Sequence, residues 1–367
     1  MLLSKYRILN EDAVDSPCLL LYPDIVIENI DKAIQLVGQV QNLRPHVKTH
    51  KMIEVAKLMV KKGISKFKCA TIAEAEMLAI AGADDILLAY QLTKTKASRF
   101  LSLFNAYPDI SFSCLIDNAE SAKVLSEVFT EKKLNVYIDL NIGMNRSGIL
   151  PEHAADLVEH CRNFKNIRVA GLHAYDGHIY DTDLSIRNQR INEVYLEVSK
   201  LKAALESIHK VEIKVVIGGT PTFHLYSKLS TDIEVSPGTF VFWDEDYNNL
   251  LSDLDFTYAA ILLTRVVSKI NNTTICTDLG HKSVSSENPF PRVKFLNAEN
   301  AIPISHSEEH LVLQVPDAEK YKIGDVLYGV PHHVCPTVAL YDTVNVVTNN
   351  KVLNSWKVVA RNRSITI

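Results

Sequence analysis

The 367-residue sequence lacks several features that would assign it to a class at once. Its net charge is −4 and its lysines and arginines are scattered, so no polybasic surface predicts a nucleic acid or membrane partner. No stretch approaches the ~20 apolar residues that span a bilayer, and the N-terminus lacks the apolar core of a signal peptide. The six widely spaced cysteines are poor material for a disulfide framework. These absences predict a cytoplasmic protein.

Short apolar runs alternate with amphipathic stretches between residues 43 and 238. The runs are rich in β-branched or apolar residues without polar alternation, as expected for strands covered on both faces. They lie at 43–47, 66–70, 85–89, 110–116, 134–140, 167–175, 213–219 and 231–237. Eight strands alternating with helices predict an α/β fold with a TIM-like (β/α)8 barrel. A doubly wound open sheet is the alternative, but the absence of a Gly-x-Gly-x-x-Gly turn argues against it.

Start and stop signals mark two of the intervening helices. Thr71 is followed three residues later by Glu74, as in a capping box, and Gly82 ends the same apolar stretch. Asp117 or Asn118 opens the next helix in the same way.

The character of the sequence changes after the barrel. Residues 255–367 read as short β runs separated by turn residues, which predicts a separate C-terminal all-β region. The run at 18–22 precedes the barrel and can pair with that region. The predicted domains are therefore a barrel at 23–245 and a β-domain formed by 1–22 and 246–367.

A lysine follows the first predicted strand. Catalytic groups of a barrel lie at the carboxyl ends of its strands, and the first strand runs into RPHVKTHK, which contains His46 and Lys48. A lysine amine at such an end can form an imine with an aldehyde. A solvated basic loop is the usual alternative for a lone lysine.

Glycine and hydroxyl residues follow the seventh and eighth predicted strands. Loops after these strands are the recurrent phosphate site of the barrel, where glycines let backbone N–H groups approach the anion. The residues are Gly218, Gly219 and Thr220 after one strand, and Ser236, Gly238 and Thr239 after the other. A lysine opposite a phosphate cradle is the layout of a pyridoxal 5'-phosphate (PLP) site, so the sequence predicts a PLP-binding barrel.

Polar residues at two further strand ends can contact this cofactor. Arg146 can reach the phenolic oxygen, although a surface arginine is an equal alternative. Tyr175 can lie against or beside the pyridine ring. His178, past the strand end, is a candidate acid–base residue, whereas His173 is expected to be a hydrogen-bonded scaffold residue.

The predicted β-domain contains a candidate metal site at His333 and Cys335. Residues at i and i+2 of an extended segment point to the same side, so both can reach one ion. Imidazole and thiolate suit zinc better than magnesium or manganese. Two ligands leave positions for water or substrate, as in a catalytic site, and the alternative is a buried cysteine beside a core histidine.

Together these motifs resemble the D-threonine aldolase and D-serine dehydratase family, whose members are alanine-racemase-like, fold-type III PLP enzymes. The resemblance runs from about Ser16 to beyond Asp342. Its motifs are RPHVKTHK, CATIAEAEML, ILLAYQ, DLNIGMNRSG, GGTPT, SPGTFVF, DLGHKSVS, SEEH and HHVCPT.

The resemblance implies that Lys48 carries PLP as a Schiff base and that the loops 218–222 and 236–239 hold its phosphate. It implies a divalent metal, with zinc favoured over manganese or magnesium, at His333 and Cys335. It also implies a D-amino acid substrate and a homodimer with active sites close to the subunit interface.

Two reactions fit this resemblance. The segment AYDGHIYD and the compact length resemble aldolase-like members, so we expect D-threonine aldolase-like cleavage of a D-β-hydroxy amino acid to glycine and an aldehyde. Cys335 stands where the better-known aldolases have aspartate, and Asp181 where they have histidine. Both differences resemble the alternative, a zinc-dependent D-serine or D-threonine dehydratase that gives a 2-oxo acid. An amino-acid racemase and a non-catalytic PLP-binding protein are less favoured.

Overall fold

The computed structural model describes residues 2–367, with side chains from residue 4 onward. The chain forms two compact units. The sheet unit contains the residues up to 29, 49–52 and 239–361, and the barrel unit contains 30–48, 53–238 and 362–367. These units differ from the predicted domains in four short segments, namely 23–29, 49–52, 239–245 and 362–367.

The regular elements alternate first and then become mostly strands. The α-helices are α1 (Leu2–Tyr6), α2 (Pro23–Val37), α3 (Ile53–Lys61), α4 (Ile72–Ala81), α5 (Lys94–Ala106), α6 (Ala119–Val128), α7 (Pro151–Cys161), α8 (Leu184–His209), α9 (Phe223–Leu229), α10 (Glu245–Leu250) and α11 (Val334–Ala339). Within residues 2–367, none of them combines the length and the apolar character needed to cross a membrane.

The β-strands follow the same chain order. They are β1 (Cys18–Leu21), β2 (Lys66–Cys69), β3 (Asp85–Gln91), β4 (Ser111–Ile116), β5 (Leu134–Asp139), β6 (Ile167–Ala174), β7 (Lys214–Ile217), β8 (Glu234–Val235), β9 (Ala260–Asn271), β10 (Thr274–Thr277), β11 (Val293–Phe295), β12 (Ile302–His306), β13 (Leu311–Gln314), β14 (Val326–Pro331), β15 (Thr343–Thr348) and β16 (Lys351–Lys357).

The barrel unit is built on a parallel sheet. In the described part of the chain, β2 to β8 pair in sequence order as seven parallel strands. The segment predicted as the first strand is extended but irregular, because Pro45 has no N–H to donate to a ladder. It nevertheless bridges both edges of the sheet, since Leu43 pairs with β8 and His46 with β2. The segment thus closes the sheet, and the predicted barrel fold is confirmed.

Strands of the barrel are buried on both faces, as their apolar composition predicts. In β4 and β5, consecutive residues are buried without alternation. Leu87, Leu115, Tyr137 and Val216, from four different strands, form one buried cluster. This packing fixes the strand ends from which the site residues project.

Helix α4 begins as the sequence predicts. The hydroxyl of Thr71 accepts a hydrogen bond from the N–H of Glu74 at 3.1 Å. The Glu74 carboxylate accepts from the N–H of Ala70 at 2.6 Å, one residue before the expected partner. Gly82 ends the helix with a φ of +90°. Of the two candidates for the next cap, Asn118 caps α6 by accepting from the N–H of Ser121.

A buried arginine joins three parts of the barrel wall. Arg44 has no exposed surface and makes two hydrogen bonds to Asp85, at 2.9 and 3.0 Å. It donates a third to Glu234 at 2.5 Å and a fourth to the carbonyl oxygen of Phe67 at 3.3 Å. Burial opposes its charge, but the carboxylates of Glu234 and Asp85 outweigh burial, so the pKa of Arg44 is raised. The first residues of the closing segment are thereby fixed to β2, β3 and β8.

The sheet unit contains a largely antiparallel sheet. Among the described residues, its strands run in the order β12-β13-β10-β9-β1-β15-β16, and β14 joins β9 to β11. The prediction that the run at 18–22 pairs with this region is confirmed, because β1 lies antiparallel to β9 and parallel to β15. Residues 49–52 belong here because the carbonyl of Lys51 accepts from Ala360 N–H and the ring of His50 contacts Phe242.

Candidate active site

The barrel unit has a cavity of about 620 Å³ at the carboxyl ends of its strands. Its lining includes Gln91 at the end of β3, Asp117 after β4, Asp139 at the end of β5 and Tyr175 after β6. Catalytic groups of barrels gather at this end, and cavities of about 300–1,000 Å³ are typical of small-molecule sites. The cavity is therefore the candidate active site.

Four of the predicted site residues line this cavity, namely His46, Lys48, Arg146 and Tyr175. The backbone N–H of Lys48 donates to Nδ1 of His46 at 3.2 Å, which orients the imidazole beside the lysine. The guanidinium carbon of Arg146 lies 5.1 Å from the centre of the Tyr175 ring. An amine, an imidazole, a guanidinium and a phenol from separate strand ends thus meet in one cavity.

A second lysine lines the cavity, and the sequence analysis missed it. Lys68 on β2 is only 2% exposed, and its Nζ lies 3.5 Å from Nε2 of His173 and 5.3 Å from the centre of the Tyr175 ring. Burial, and then the charge of Lys48, lowers the pKa of Lys68 to about 7. Its position inside a strand that was expected to be buried on both faces could have identified it. The sequence analysis considered only residues at strand ends as site candidates.

His173 and Asp139 form a hydrogen-bonded pair in the floor of the cavity. Nδ1 of His173 is 2.7 Å from Oδ1 of Asp139, which confirms the scaffold role expected for this histidine. The other oxygen of Asp139 accepts from Gln91 at 2.8 Å and from Ser147 at 2.9 Å. Burial opposes ionisation of Asp139, but these donors, His173 first, lower its pKa. Burial lowers the pKa of His173, so the pair holds a carboxylate and a neutral imidazole.

Glycines determine where the ring of Tyr175 can lie. A Cβ on Gly177 would stand 2.5 Å from that ring, and a Cβ on Gly219 would stand 3.2 Å from it. Any larger residue at position 177 would therefore displace the ring. The centre of the ring also lies 5.3 Å from Nζ of Lys68 and 5.1 Å from the guanidinium carbon of Arg146.

The predicted phosphate loops of the barrel unit are brought together. Oγ1 of Thr220 accepts from the N–H of Gly238 at 3.0 Å, which joins the two loops. Gly218 has a φ of +80°, a left-handed conformation that favours glycine, and Gly219 donates its N–H to Thr222 at 3.1 Å. The hydroxyl of Ser236, also predicted to bind phosphate, donates to the carbonyl of Arg44 at 2.8 Å. These residues are buried, and they are not part of the cavity lining described above.

His178 is not among the residues that line the cavity. A Cβ on Gly143 would stand 2.6 Å from Nε2 of His178, so the imidazole packs against that glycine. In the described part of the chain its Nδ1 is buried without a hydrogen-bond partner. Burial lowers the pKa of His178. The structure thus does not bring this candidate acid–base residue to Lys48, and its role stays a prediction.

The predicted extended geometry of His333 and Cys335 is wrong. His333 is extended, but it immediately precedes α11, and Cys335 lies in the first turn of that helix. Pro336 follows it without disrupting the helix, because the first-turn N–H groups have no intrahelical partner to lose. The two side chains still influence each other: burial lowers the pKa of His333, but Cys335 and the nearby carboxylates outweigh burial and raise that pKa to about 9.

Polar groups of the sheet unit surround this pair. Nδ1 of His333 is 2.6 Å from Oε1 of Glu287. Sγ of Cys335 lies 3.1 Å from the hydroxyl of Thr49 and 3.5 Å from that of Thr239. Thr239, predicted to bind phosphate, therefore belongs to the sheet unit and contacts the thiol.

Charge near the pair is also unusual. Burial, and then the charge of Cys335, raises the pKa of Asp244 to about 7. His332 is paired separately, with Nδ1 at 2.8 Å from Asp246. Among the residues that the structure describes, no group of three or more His, Cys, Asp or Glu side chains is arranged to hold a metal ion. The pair of His333 and Cys335 thus offers one nitrogen and one sulfur donor.

A cavity at the mouth of a barrel, lined by lysines, imidazoles and an arginine, defines an enzyme of the class that reacts through a lysine amine. A family model described as "Alanine racemase, N-terminal domain" matches residues 23–246, and one described as "Putative serine dehydratase domain" matches 259–347. The first model covers more than half of the chain. The chain therefore belongs to the alanine racemase N-terminal domain family.

Known relatives resemble the chain along most of its length. It is 26% identical to a D-threonine aldolase of an Arthrobacter species, over 87% of this chain and 85% of the relative. It is 26% identical to a D-serine dehydratase of Dictyostelium discoideum, over 94% and 96%. The crystal structure of D-threonine aldolase from Filomicrobium marinum superposes with a TM-score of 0.87 and 26% identity, covering 97% of this chain and 98% of that one.

These comparisons confirm the predicted family and the predicted class of PLP-dependent lyase. The residues present also fit PLP. The cavity is large enough for the cofactor with a small substrate, and Lys48 lines it. Glycines shape the two joined loops, and Gly219 packs against the ring of Tyr175, which lines the cavity.

Proposed function

We propose that this protein cleaves D-β-hydroxy amino acids to glycine and an aldehyde, as a D-threonine aldolase does. The observation that carries the proposal is the placement of Lys48 in a cationic cavity at the carboxyl ends of the barrel strands, in a chain of this family. Similarity to a D-threonine aldolase along most of both chains supports this choice of reaction.

Dehydration to a 2-oxo acid is the second candidate, and a particular observation favours it. His333 and Cys335 lie two residues apart at the start of α11, so a soft metal such as zinc has two suitable donors in one short segment. A metal can lower the pKa of a hydroxyl for cleavage or assist its departure in dehydration, so the same residues serve either reaction.

The barrel residues have distinct tasks in this proposal. PLP, when bound, supplies the electron sink for the bond that breaks at the α-carbon. Lys48 would hold the cofactor through its amine, with His46 fixed beside it by the Lys48 N–H. Arg146 offers a cation to an anionic oxygen. The aromatic face of Tyr175 limits where a flat ring can lie.

We propose that His333 and Cys335 bind a divalent metal, with zinc favoured over manganese or magnesium by donor softness. Their positions two residues apart at the start of α11 support the pairing. The metal would act as a Lewis acid toward an oxygen, with remaining positions taken by water or substrate. We also propose a homodimer in the cytoplasm, with a D-amino acid as substrate and without nucleic acid or membrane partners.

Product analysis tests the choice of reaction. Purified protein with PLP is incubated with D-threonine or D-serine, with added zinc, manganese or chelator. Acetaldehyde and glycine from D-threonine are expected. Release of 2-oxobutanoate or pyruvate instead would replace the aldolase by the dehydratase, and L-isomers serve as the stereochemical control.

Absorbance tests the cofactor assignment. Protein with PLP should show the band near 420 nm of a lysine-bound cofactor, and the Lys48→Ala variant should lose it. Lys57→Ala removes an exposed lysine of α3 and should retain the band. The proposal fails if wild-type protein gives no band, or if Lys48→Ala keeps it.

Metal content tests the second assignment. Each protein is dialysed against chelator, zinc is added again, and the zinc bound per chain is measured. Because Cys335 would be one of few ligands, Cys335→Ala should lower this zinc content at least tenfold. Cys18→Ala removes another partly exposed thiol of the sheet unit and should leave the zinc content unchanged. Equal zinc in both variants would remove Cys335 from the site.

A further inference from the structure

Lys68 is a buried amine that the proposed function leaves unused. It projects from β2 into the same cavity as Lys48, and its Nζ lies 3.5 Å from Nε2 of His173. The proposed function assigns Lys48 to holding the cofactor. Lys68 is a second amine in the same cavity. Burial of a lysine lowers the stability of the folded state, so its presence here calls for an explanation.

The direction of the hydrogen bonds defines how Lys68 is held. Asp139 is a carboxylate and can only accept, so Nδ1 of neutral His173 donates to it. Nε2 of His173 then carries a lone pair and accepts from the Lys68 amine. A neutral Lys68 amine that donates one N–H to His173 keeps its own lone pair free for the cavity.

The charges facing Lys68 are balanced. Lys48 and Arg146 disfavour its protonation, whereas Asp139 and Asp176 favour it, and neutral His173 touches it. Burial is the largest influence and, with Lys48, brings its pKa to about 7, so the neutral and charged forms are both accessible near neutral pH. The ring of Tyr175 also stabilises the charged form.

We propose that Lys68 is a second acid–base amine of this active site, which removes a proton from the bound substrate and returns it. The inference rests on the proposed function. In cleavage, the O–H bond of the β-hydroxyl breaks and its proton goes to Nζ of Lys68. The oxygen electrons form the carbonyl of the aldehyde as the Cα–Cβ bond breaks, and the electron pair of that bond stays with the α-carbon. The proton on Nζ is then delivered to the α-carbon, which gives glycine and restores the neutral amine.

The charged form of Lys68 is stabilised through its partners. When Nζ carries the extra proton, it still donates to His173, whose other nitrogen donates to the Asp139 carboxylate. The Asp139 carboxylate thus stabilises the charged amine through the imidazole. A direct ion pair between Asp139 and Lys68 would hold the proton too firmly on the amine.

PLP-free protein gives a test that does not depend on the reaction. Urea unfolding is measured from pH 7 to pH 10 for wild type, Lys68→Met and, as a matched control, Lys123→Met, which changes an exposed lysine of α6. The Lys68 amine has a lower pKa in the folded protein than in the unfolded chain. As pH falls below the unfolded pKa, the unfolded chain therefore binds the proton first, and the free energy of unfolding decreases. The unfolding constant of wild type relative to Lys68→Met should rise on the order of a hundredfold from pH 10 to pH 7. Lys123→Met should show no such change.

The loaded enzyme gives the second test. Lys68→Met and Lys68→Arg should keep the band near 420 nm and lose roughly 10²–10⁴-fold in kcat. Wild-type kcat should increase as pH rises through about 7, where Lys68 becomes neutral, and the residual activity of Lys68→Met should lack this dependence. Arginine carries a positive charge but does not release its proton. If Lys68→Arg also loses activity, the reaction therefore needs proton transfer by Lys68 and not only its charge.

Several outcomes would overturn the inference. One is a pH-independent ratio of unfolding constants in the PLP-free proteins, and another is a Lys68→Met enzyme with unchanged kcat and pH profile. If wild type lacks the absorbance band or lyase activity, the proposed function fails instead, and the PLP-free titration alone decides whether Lys68 is neutral in the fold.

Discussion

Replacement of Arg44 by methionine should destabilise the barrel far more than replacement of an exposed arginine. Methionine has a similar length and is apolar, so it tests the charge and the hydrogen bonds more than the volume. It would remove the two bonds to Asp85 and the bond to Glu234 while leaving both carboxylates partly or fully buried. Glu234 would keep Lys66 as a partner at 2.5 Å, whereas Asp85 would lose its guanidinium.

The magnitude follows from these contacts. Removal of one partner from a buried ion pair costs about 3–5 kcal/mol, mainly because the remaining charge is left without compensation. We expect a loss of about 3–5 kcal/mol in the free energy of unfolding for Arg44→Met at pH 7. Burial opposes ionisation of Asp85, but Arg44 lowers its pKa below the usual value. That contribution is present above pH ~4 and is lost as pH falls, so the deficit of the variant should shrink on acidification.

Urea unfolding followed by far-ultraviolet circular dichroism, at pH 7 and at about pH 3, below the unfolded pKa of aspartate, measures this prediction. Arg168→Met is the matched control, because Arg168 is an exposed arginine on barrel strand β6 and should change stability by no more than about 0.5 kcal/mol. The double variant Arg44→Met with Asp85→Asn should recover part of the loss. Equal effects of Arg44→Met and Arg168→Met would refute the reasoning.

Three further predictions concern single side chains. Thr71→Ala should lower the free energy of unfolding by about 1 kcal/mol because it removes the cap of α4, with Thr71→Ser near wild type, measured by urea unfolding. Gly171→Ala should cost about 1–3 kcal/mol, since its Cβ would stand 2.4 Å from the carbonyl oxygen of Lys214; an unchanged melting temperature would contradict this. Gly177→Ala should displace the ring of Tyr175 and so weaken PLP binding about tenfold or more, measured by titration of the absorbance band. A Kd equal to that of wild type would show that the ring is free to move.

The barrel could be predicted because its strands carry a strong pattern. Continuous apolar runs between capped helices identify parallel strands from composition alone. The closing segment at 43–47 was predicted as a regular strand. Its proline interrupts the hydrogen bonds of a regular strand, but single bridges to β8 and β2 still place it in the barrel. The burial of its Arg44 was not predicted. Burial of an arginine depends on carboxylates from Asp85 and Glu234, which are distant in the sequence.

The site was predictable to the extent that it follows the strand ends. His46, Lys48, Arg146 and Tyr175 meet because the carboxyl ends of parallel strands share one edge. Lys68 was missed because its importance depends on burial rather than on position at a strand end.

Two other site residues show a different limit. His178 follows a strand but turns toward Gly143, and the course of a loop is not encoded in a local pattern. Cys335 was expected on an extended segment together with His333. A single helical turn of six residues is too short to give a periodic signal.

The pairing of β1 has a consequence for how the protein is made. This strand leaves the ribosome early, but its antiparallel partner β9 begins at Ala260 and its parallel partner β15 only at Thr343. Translation at about 5–20 residues per second separates the synthesis of β1 from that of β9 by roughly 12–50 seconds. During that time an apolar strand has two unpaired edges, which are templates for association with other chains. The nascent chain should therefore depend on chaperones until the barrel has been synthesised and the sheet can close around its first strand.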